Sequence, residues 1–423
     1  MLTRDRRIAD SVVGPTQRDS GSGILHGVWG EVSYQAHLPE TARIALATDI
    51  AFSAAIRRRS SVRPGPWTVR DMPRKATGQE LDAVDLFAGC GGLTQGLRLA
   101  RFRVRLAIDV DHLAATCYRA NQDAVELWER DIVEVTAEEI LRRFRWKPGS
   151  LPLLAGCPPC QGFSALRTLN GGRTVDDSRN DLVKDFCRLA LGLRPKAILM
   201  ENVPGLADDA RFESMVAKLR AASYVVRWAV LDAADFNVPQ RRRRLILTAG
   251  AGFSVPFPSA RKRLLSVRRA LKALPAAGDS GDPAHDHGER RSASVRRRIA
   301  CIPLDGGSRT DLSDEQQLAC HLKCGGFKDV YGRMSWDNVA PTITSGFVNP
   351  SKGRFLHPVE HRAITVREGA VLQTFPQEYH FPMSAGKFPV AELIGNAVPP
   401  AFACLQGRAI RKALADATRP HTS

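Results

Sequence analysis

AVDLFAGCGGLTQGL, residues 83–97, opens on a short apolar run, crosses a glycine-rich turn and continues with apolar residues at helical spacing. It reads as a buried strand leading into a helix, with glycines where backbone must bend tightly or approach a ligand. The same alternation recurs downstream. VRLAID (104–109), LPLLAG (151–156), AILMENV (197–203), VVRWAVL (225–231) and RLILTAG (244–250) read as strands. The stretches 112–121 and 182–193 between them read as helices. Apolar strands alternating with helices predict an α/β chain of βαβ units around a parallel sheet. Residues 256–355, crowded with Pro, Gly, Arg and Asp, break the pattern, and residues 364–379 and 400–415 read as two closing helices.

The chain of 423 residues carries 61 Lys+Arg against 44 Asp+Glu, a formal charge of +17. That balance favours a polyanionic partner, nucleic acid before membrane. A hydrophobic content of 43% excludes a chain disordered throughout, and no run approaches the uninterrupted apolar length of a spanning helix. The amino terminus, with Arg4, Arg6 and Arg7, lacks the apolar stretch of a secretory signal, so the expected location is cytoplasmic and nucleoid-associated. Nine cysteines without a framework spacing read as free thiols.

The turn after the first strand departs from G-x-G-x-x-G, because the sixth residue from Gly89 is Thr94. This disfavours a nicotinamide dinucleotide. Asp109, 20 residues after Gly89 at the end of the next apolar run, is placed to accept ribose hydroxyls, and Asp131 could reach an adenine amino group. An adenosine-containing cofactor is therefore expected.

LPLLAG runs into Cys157-Pro158-Pro159-Cys160-Gln161. A C-x-x-C can serve redox exchange or a metal, but the domain context is wrong for the first. The second would need Cys320, His321 or Cys324 as partners. A single nucleophile, Cys160, held by the stiff Pro-Pro, is the remaining reading, with no metal. Glu201 and Asn202 fall at the carboxyl edge of a strand, where open α/β sheets bind ligands, and Glu201 could donate a proton there. In Gln240-Arg241-Arg242-Arg243-Arg244 a strand period puts Gln240, Arg242 and Arg244 on one face and Arg241 and Arg243 on the other.

The ordered set DLFAGCGGLTQGL, GCPPCQGFS, ENVPG, PQRRRRLIL, RAITVREGAVLQTFP and GNAVPP, spread over about residues 83–410, resembles the DNA (cytosine-5) methyltransferases. The resemblance implies an α/β doubly wound, Rossmann-like catalytic domain, S-adenosylmethionine as methyl donor and double-stranded DNA as substrate. It implies that Cys160 adds to C6 of a cytosine flipped out of the duplex and that Glu201 hydrogen-bonds N3. Arg244 would support the cytosine O2 and Glu201, Arg242 would be a second site arginine, and Gln240 would contact the loop 165–179 that closes over the base. On the cofactor side it implies Phe87, Gly89, Gly91, Gly92 and Leu93 at the methionine, and Asp109 at the ribose. Asp131 and Ile132 fall at the adenine, and Pro159, Leu182 and Asn396 line the pocket. Where some relatives have an aromatic residue beside the ribose acid this chain has Val110, which leaves adenine packing to Ile132 and the turn.

The implied organisation is a basic extension (1–78), a catalytic domain (79–257 plus 362–423) and an inserted target-recognition domain (258–361). Between residues 258 and 340 there are 15 Lys+Arg and 10 Asp+Glu, which suggests a polar, groove-facing surface rather than a second hydrophobic core. A tRNA-directed cytosine-5 methyltransferase and a catalytically inactive DNA-binding relative are the rival readings. The inserted segment argues against the first, and the intact Cys160, Glu201 and Arg244 against the second. A cognate restriction endonuclease would be the natural partner of a modification enzyme.

Because every motif begins after residue 82, a chain shortened to start at Gly78 is expected to keep its turnover and its target. At most it should bind DNA more weakly at low salt. Methyl incorporation beside the full-length chain checks this, and failure of the shortened chain to fold would overturn it.

Overall fold

The computed structural model describes residues 79–159, 181–261, 263–318, 322 and 329–419. Strand β1 (Leu81–Leu86) buries both faces, sending Val84 and Leu86 to one core and Ala83 to the other. It pairs in parallel with β2 (Phe102–Asp109) on one side and β4 (Leu153–Gly156) on the other. With β3 (Glu126–Glu129), β5 (Ala197–Asn202), β6 (Tyr224–Asp232) and β7 (Arg243–Ala251) these form one seven-stranded sheet, ordered β3-β2-β1-β4-β5-β7-β6. The chain steps outward from β1 to β3, then jumps back to β4. The reversal between β1 and β4 is a topological switch point, where the loops after two strands diverge and leave a crevice.

Helices cover both faces. On one, α3 (Ala137–Phe144), α4 (Leu182–Leu193) and α5 (Ala210–Ala221) bury Ile140, Phe186, Leu189, Phe212 and Met215 against Leu106, Leu154, Ile198 and Leu247. On the other, α1 (Gly92–Leu99) packs with the last helix of the chain over Ala155, Leu199 and Ile246. Between β2 and β3, α2 (His112–Asn121) starts at Asp111, whose carboxylate accepts the Ala114 N–H at 2.7 Å. The two stretches 112–121 and 182–193 are helical over the limits that the sequence suggested.

The sheet is mixed, which corrects the expectation of a parallel one. β7 runs antiparallel to both β5 and β6. Only the short stretch 233–242 joins β6 to β7, too little chain for the crossover that a parallel neighbour requires.

Beyond the sheet lie α6 (Val267–Leu271), the single turn α7 (Pro283–Asp286), α8 (Ala293–Cys301), α9 (Val366–Leu372), α10 (Lys387–Asn396) and α11 (Pro400–Ala417). The helix expected over 364–379 is only α9. It stops where Thr374 turns into the left-handed region at φ 65°, and α10 was not foreseen. The inserted segment also holds more apolar core than its charge suggested. Val267, Leu271, Met334, Ile343, Phe347 and Phe355 join residues of α9 and α10 in one cluster, so packing is continuous across residue 361. A smaller cluster gathers Ile299, Ile302, Leu312, Tyr331 and Leu356. The stretch Lys387–Ala417 is apolar and long enough to cross a membrane by composition, but it breaks between α10 and α11, and both helices bury their apolar sides in protein cores.

The tight contact of α1 against α11 runs through small residues. A Cβ at Gly96 would land on the Ala403 side chain and the Pro400 carbonyl, and one at Gly407 on Ala100. Gly96→Ala should therefore lower stability by about 1–3 kcal/mol through overpacking. The ~1 kcal/mol that alanine gains in helix propensity only partly offsets this. A denaturation midpoint no lower than wild type would contradict that packing.

Candidate active site

Two loops meet at the switch point. The first follows β1. Phe87 and Gly89 have positive φ of 59° and 54°, so the backbone doubles back immediately after the strand. A Cβ on Gly89 would meet nothing within 4 Å, so the turn faces open space there. At Gly91 and Gly92 the room is taken by protein, namely Tyr379 and Tyr118 at the first and the Val398 carbonyl and Phe375 at the second. Leu93 is buried under the same turn. The Tyr379 hydroxyl donates to the Cys90 carbonyl at 2.5 Å and clamps the loop from behind.

Asp109, at the end of β2, faces this turn. Its Oδ2 accepts the Gly89 N–H at 2.7 Å and its Oδ1 the Asp111 N–H at 2.9 Å. Burial pushes its pKa up, opposed by those N–H groups. The remaining lone pairs of a carboxylate oriented in this way suit a vicinal diol. Asp131 caps the turn 132–134 through the Val133 N–H at 3.0 Å and is exposed. Ile132 packs its side chain into the core and is 4% exposed. The apolar side chains left open on this rim are Val110, 67% exposed, and Val133, 58% exposed.

The second loop follows β4. The Cys157 N–H donates to the Leu86 carbonyl at 3.2 Å, which extends the β1–β4 pairing by one step into the loops. Burial, with Glu201 and Asp85 nearby, pushes the Cys157 thiol well above its usual range, so this cysteine stays protonated and is a poor nucleophile. Pro158 is buried and Pro159 partly so. Cys160 and residues 161–180, including the loop 165–179, lie outside the described residues, as do residues 1–78 and Cys320, His321 and Cys324. Leu182, the first residue of α4, packs half-buried on the sheet core.

Glu201 and Asn202 are the last two residues of β5. The Asn202 amide donates to the Pro158 carbonyl at 2.9 Å and its oxygen accepts the Val203 N–H at 2.8 Å. The side chain thus pins the loop after β4 to the end of β5. Arg244 Nε stands 3.0 Å from Glu201 Oε1 with both groups largely buried. Among the described residues that oxygen accepts no hydrogen bond, so the guanidinium approaches as an ion pair off the N–H line.

The inward and outward sets at the start of β7 are those the strand period assigned. Gln240 and Arg242 are buried and Arg244 nearly so, while Arg241 and Arg243 are exposed. Regular pairing begins only at Arg243, with Gln240 in an isolated bridge to Ala340. Gln240 spends its amide inside the protein, donating to the Leu372 carbonyl at 3.0 Å and Gln373 Oε1 at 2.7 Å and accepting the Ile343 N–H at 3.0 Å. Arg242 donates to the carbonyls of Ile343 at 3.2 Å and Ala397 at 3.0 Å. Burial and the nearby Arg244 lower its pKa to about 9, with Glu201 opposing. Asn396, exposed, sits between the Ile394 carbonyl that takes Gln373 and the Ala397 carbonyl that takes Arg242.

The sequence reading missed a buried polar group behind the turn. Asp85 is wholly buried in β1, its Oδ2 accepts the Thr94 hydroxyl at 2.6 Å, and Thr94 lies 2.8 Å from the Tyr118 hydroxyl. Burial raises the Asp85 pKa to about 7. The signal was present: a lone acid inside an apolar strand.

The family of C-5 cytosine-specific DNA methylases matches residues 81–412. The type II methylase M.HgiDII of Herpetosiphon aurantiacus is 35% identical over 345 residues, 78% of this chain and 94% of that protein. The type II methyltransferase M.XorII of Xanthomonas oryzae pv. oryzae is 30% identical over 366 residues, 78% of this chain and 84% of that protein. A DNA modification methyltransferase encoded within an Escherichia coli prophage superposes with a TM-score of 0.62 at 23% identity, covering 79% of this chain and all of that one, a likeness of fold. The match takes in the glycine turn, the Glu201–Arg244 pair and α9 alike, and the chain belongs to the C-5 cytosine-specific DNA methylases, as an enzyme of the type II modification kind.

Proposed function

We propose that the enzyme takes its methyl group from S-adenosylmethionine and places it on C5 of a cytosine turned out of a specific duplex sequence. The observation that carries this reading is the junction of Glu201, Arg244 and the Asn202–Pro158 bond. One short region then holds an acid, a cation and the root of the Cys160 loop together. The cofactor fits beside it. Gly89 faces open space, the Asp109 carboxylate is oriented for a ribose, and Val110 and Val133 offer an apolar rim for the adenine. When bound, it supplies an electrophilic methyl group.

In this mechanism the Cys160 thiolate forms a bond to C6 of the cytosine, and the ring electrons move toward N3 and C5. Glu201 holds a proton at N3, where negative charge would otherwise build up, and Arg244 keeps that carboxyl in position. C5 then takes the methyl group. Loss of the C5 proton restores the ring double bond and expels the Cys160 sulfur. Gln240, bonded to main chain and to Gln373, and Arg242, bonded to two main-chain carbonyls, brace the floor of this site. The high pKa of the Cys157 thiol supports the assignment of the nucleophile to Cys160. Residues 258–361 would choose the target, and an endonuclease cutting the same unmethylated sequence would be the biological partner, with the enzyme at the nucleoid.

Cys160→Ser should abolish methyl transfer and leave S-adenosylmethionine binding in place. Duplex with 5-fluorocytosine at the target should trap wild type and Cys157→Ser covalently, because fluorine blocks the last proton loss. Trapping by Cys160→Ser but not by Cys157→Ser would reverse the assignment.

Glu201→Gln should slow single-turnover methylation by about 10²–10⁴-fold, the usual contribution of a positioned proton donor. Cofactor affinity, measured by calorimetry, should stay within a factor of a few. A rate near wild type would remove Glu201 from the chemistry.

A further inference from the structure

Between Glu289 and Asp305 the sequence has Arg290, Arg291, Arg296, Arg297 and Arg298 and no acidic residue. Helix α8 lies in this interval, capped by Ser292, whose side chain accepts the Val295 N–H at 3.4 Å. Two of the arginines are built into the fold. Arg291 pairs with Glu289 at 2.7 Å, and Arg298 lies over the Tyr331 ring at 5.7 Å and donates to the Gln316 carbonyl. That side of the helix also buries Ile299 and half-buries Val295. The opposite side presents Ala293, Arg296, Arg297 and Ala300, all exposed and spaced to share one face. Arg296 and Arg297 have no ion pair or hydrogen-bond partner through their side chains among the described residues. The alanines above and below them leave no bulk to hold a partner surface away.

The helix is rigidly mounted. Arg333, with 0% exposure, donates to the carbonyls of Ile299 at 2.8 Å and Ile302 at 3.1 Å at the end of α8. The same guanidinium reaches the His357 carbonyl at 2.8 Å, the Glu360 carbonyl, and His361 Nδ1 at 2.9 Å. None of these partners is a carboxylate. A guanidinium buried this way is costly unless its donors are used, so its removal would leave several carbonyls of two segments unsatisfied. Those segments are the end of α8 and the loop that continues through Arg362 into α9. The last carbonyl of α9 in turn takes the Gln240 amide at the start of β7. The face of α8 is thereby fixed relative to the strand that carries Arg242 and Arg244.

Resting on the reading that residues 258–361 choose the target, we propose that the outward face of α8 enters the major groove of the substrate duplex. There Arg296 and Arg297 read base edges, and Arg333 is the positioning residue that sets the angle of the helix. A helix fits that groove, and arginine to guanine O6 and N7 is the commonest specific contact.

The test uses the full-length chain on a pool of duplexes randomised around its target, sequenced after bisulfite treatment. Arg296→Ala or Arg297→Ala should lose discrimination at one position by roughly 5- to 150-fold, the worth of one bidentate contact, while other positions keep theirs. Uniform weakening, with the salt slope reduced by about 0.9 and the sequence profile intact, would make these phosphate contacts and overturn the base-reading assignment. Arg333→Lys, with Arg333→Met beside it, should relax the same position in the protein that remains folded. Loss of folded protein with an unchanged profile would reduce Arg333 to a structural residue. Exchange of residues 258–361 for those of a relative with another target separates the two levels. If the profile follows the exchanged segment but ignores both α8 arginines, the helix assignment fails alone. If the profile stays with the host, the reading of the whole segment fails.

Discussion

The parallel pairing of β1 with β4 is the contact on which the rest of the site depends. Ala83 to Leu86 lie beside Leu153 to Gly156, and the pairing runs one step further through the Cys157 N–H to the Leu86 carbonyl. Gly156 makes this possible, since a Cβ there would press on the Leu86 backbone and on Phe186. The strands on either side of this pair belong to opposite halves of the chain order. The loops leaving them therefore turn to opposite faces and open a crevice. The glycine turn lines one wall of that crevice and the Cys157-Pro158-Pro159 loop the other. Shifting β4 by one residue would exchange its two buried faces and carry Cys157 to the wrong side of the sheet.

The direction of β7 is as consequential as the switch point. In a parallel sheet the first residues of a strand lie at the amino edge, far from the crevice. Because β7 runs antiparallel, its beginning coincides with the end of β5, with Asn202 opposite Leu245. Arg244 then falls beside Glu201, and Gln240 and Arg242 fall against the Ile343 and Ala397 segments. The arginine run reaches Glu201 only because the sheet ends in a hairpin. The all-parallel expectation, had it held, would have separated Arg244 from Glu201 by the length of a strand.

Much of this was legible in the residues. The alternation of apolar runs identified every strand but β3, and α2 and α4 have clear apolar periodicity and kept their limits. The strand period by itself sorts Gln240, Arg242 and Arg244 from Arg241 and Arg243. What could not be read depends on distant contacts. The orientation of β7 is set by the shortness of residues 233–242, which contain a turn signal and no crossover. Helix α10 was missed because Lys387–Asn396 carries Pro389 near its start and has no side-chain cap, so its stability comes from Val390, Ala391 and Ile394 in a shared core.

Arg242 shows why the floor of this site carries charge where an apolar side chain would also fill space. A buried guanidinium with carbonyl partners and an Nε that makes no hydrogen bond among the described residues is a poor choice for stability alone. Its two bonds, however, join the Ile343 segment to the Ala397 turn between α10 and α11, pieces of chain that an apolar side chain could touch but could not orient. With a pKa lowered only to about 9, the group keeps its charge at neutral pH. Glu201 is among the groups that favour that charge, so carboxylate and guanidinium attract each other across the same small volume. The neighbouring Arg244 opposes it, and two cations are tolerated together because the acid lies between their demands. The same side chain thus fixes the geometry of the crevice floor and adds positive charge beside the Glu201 carboxylate.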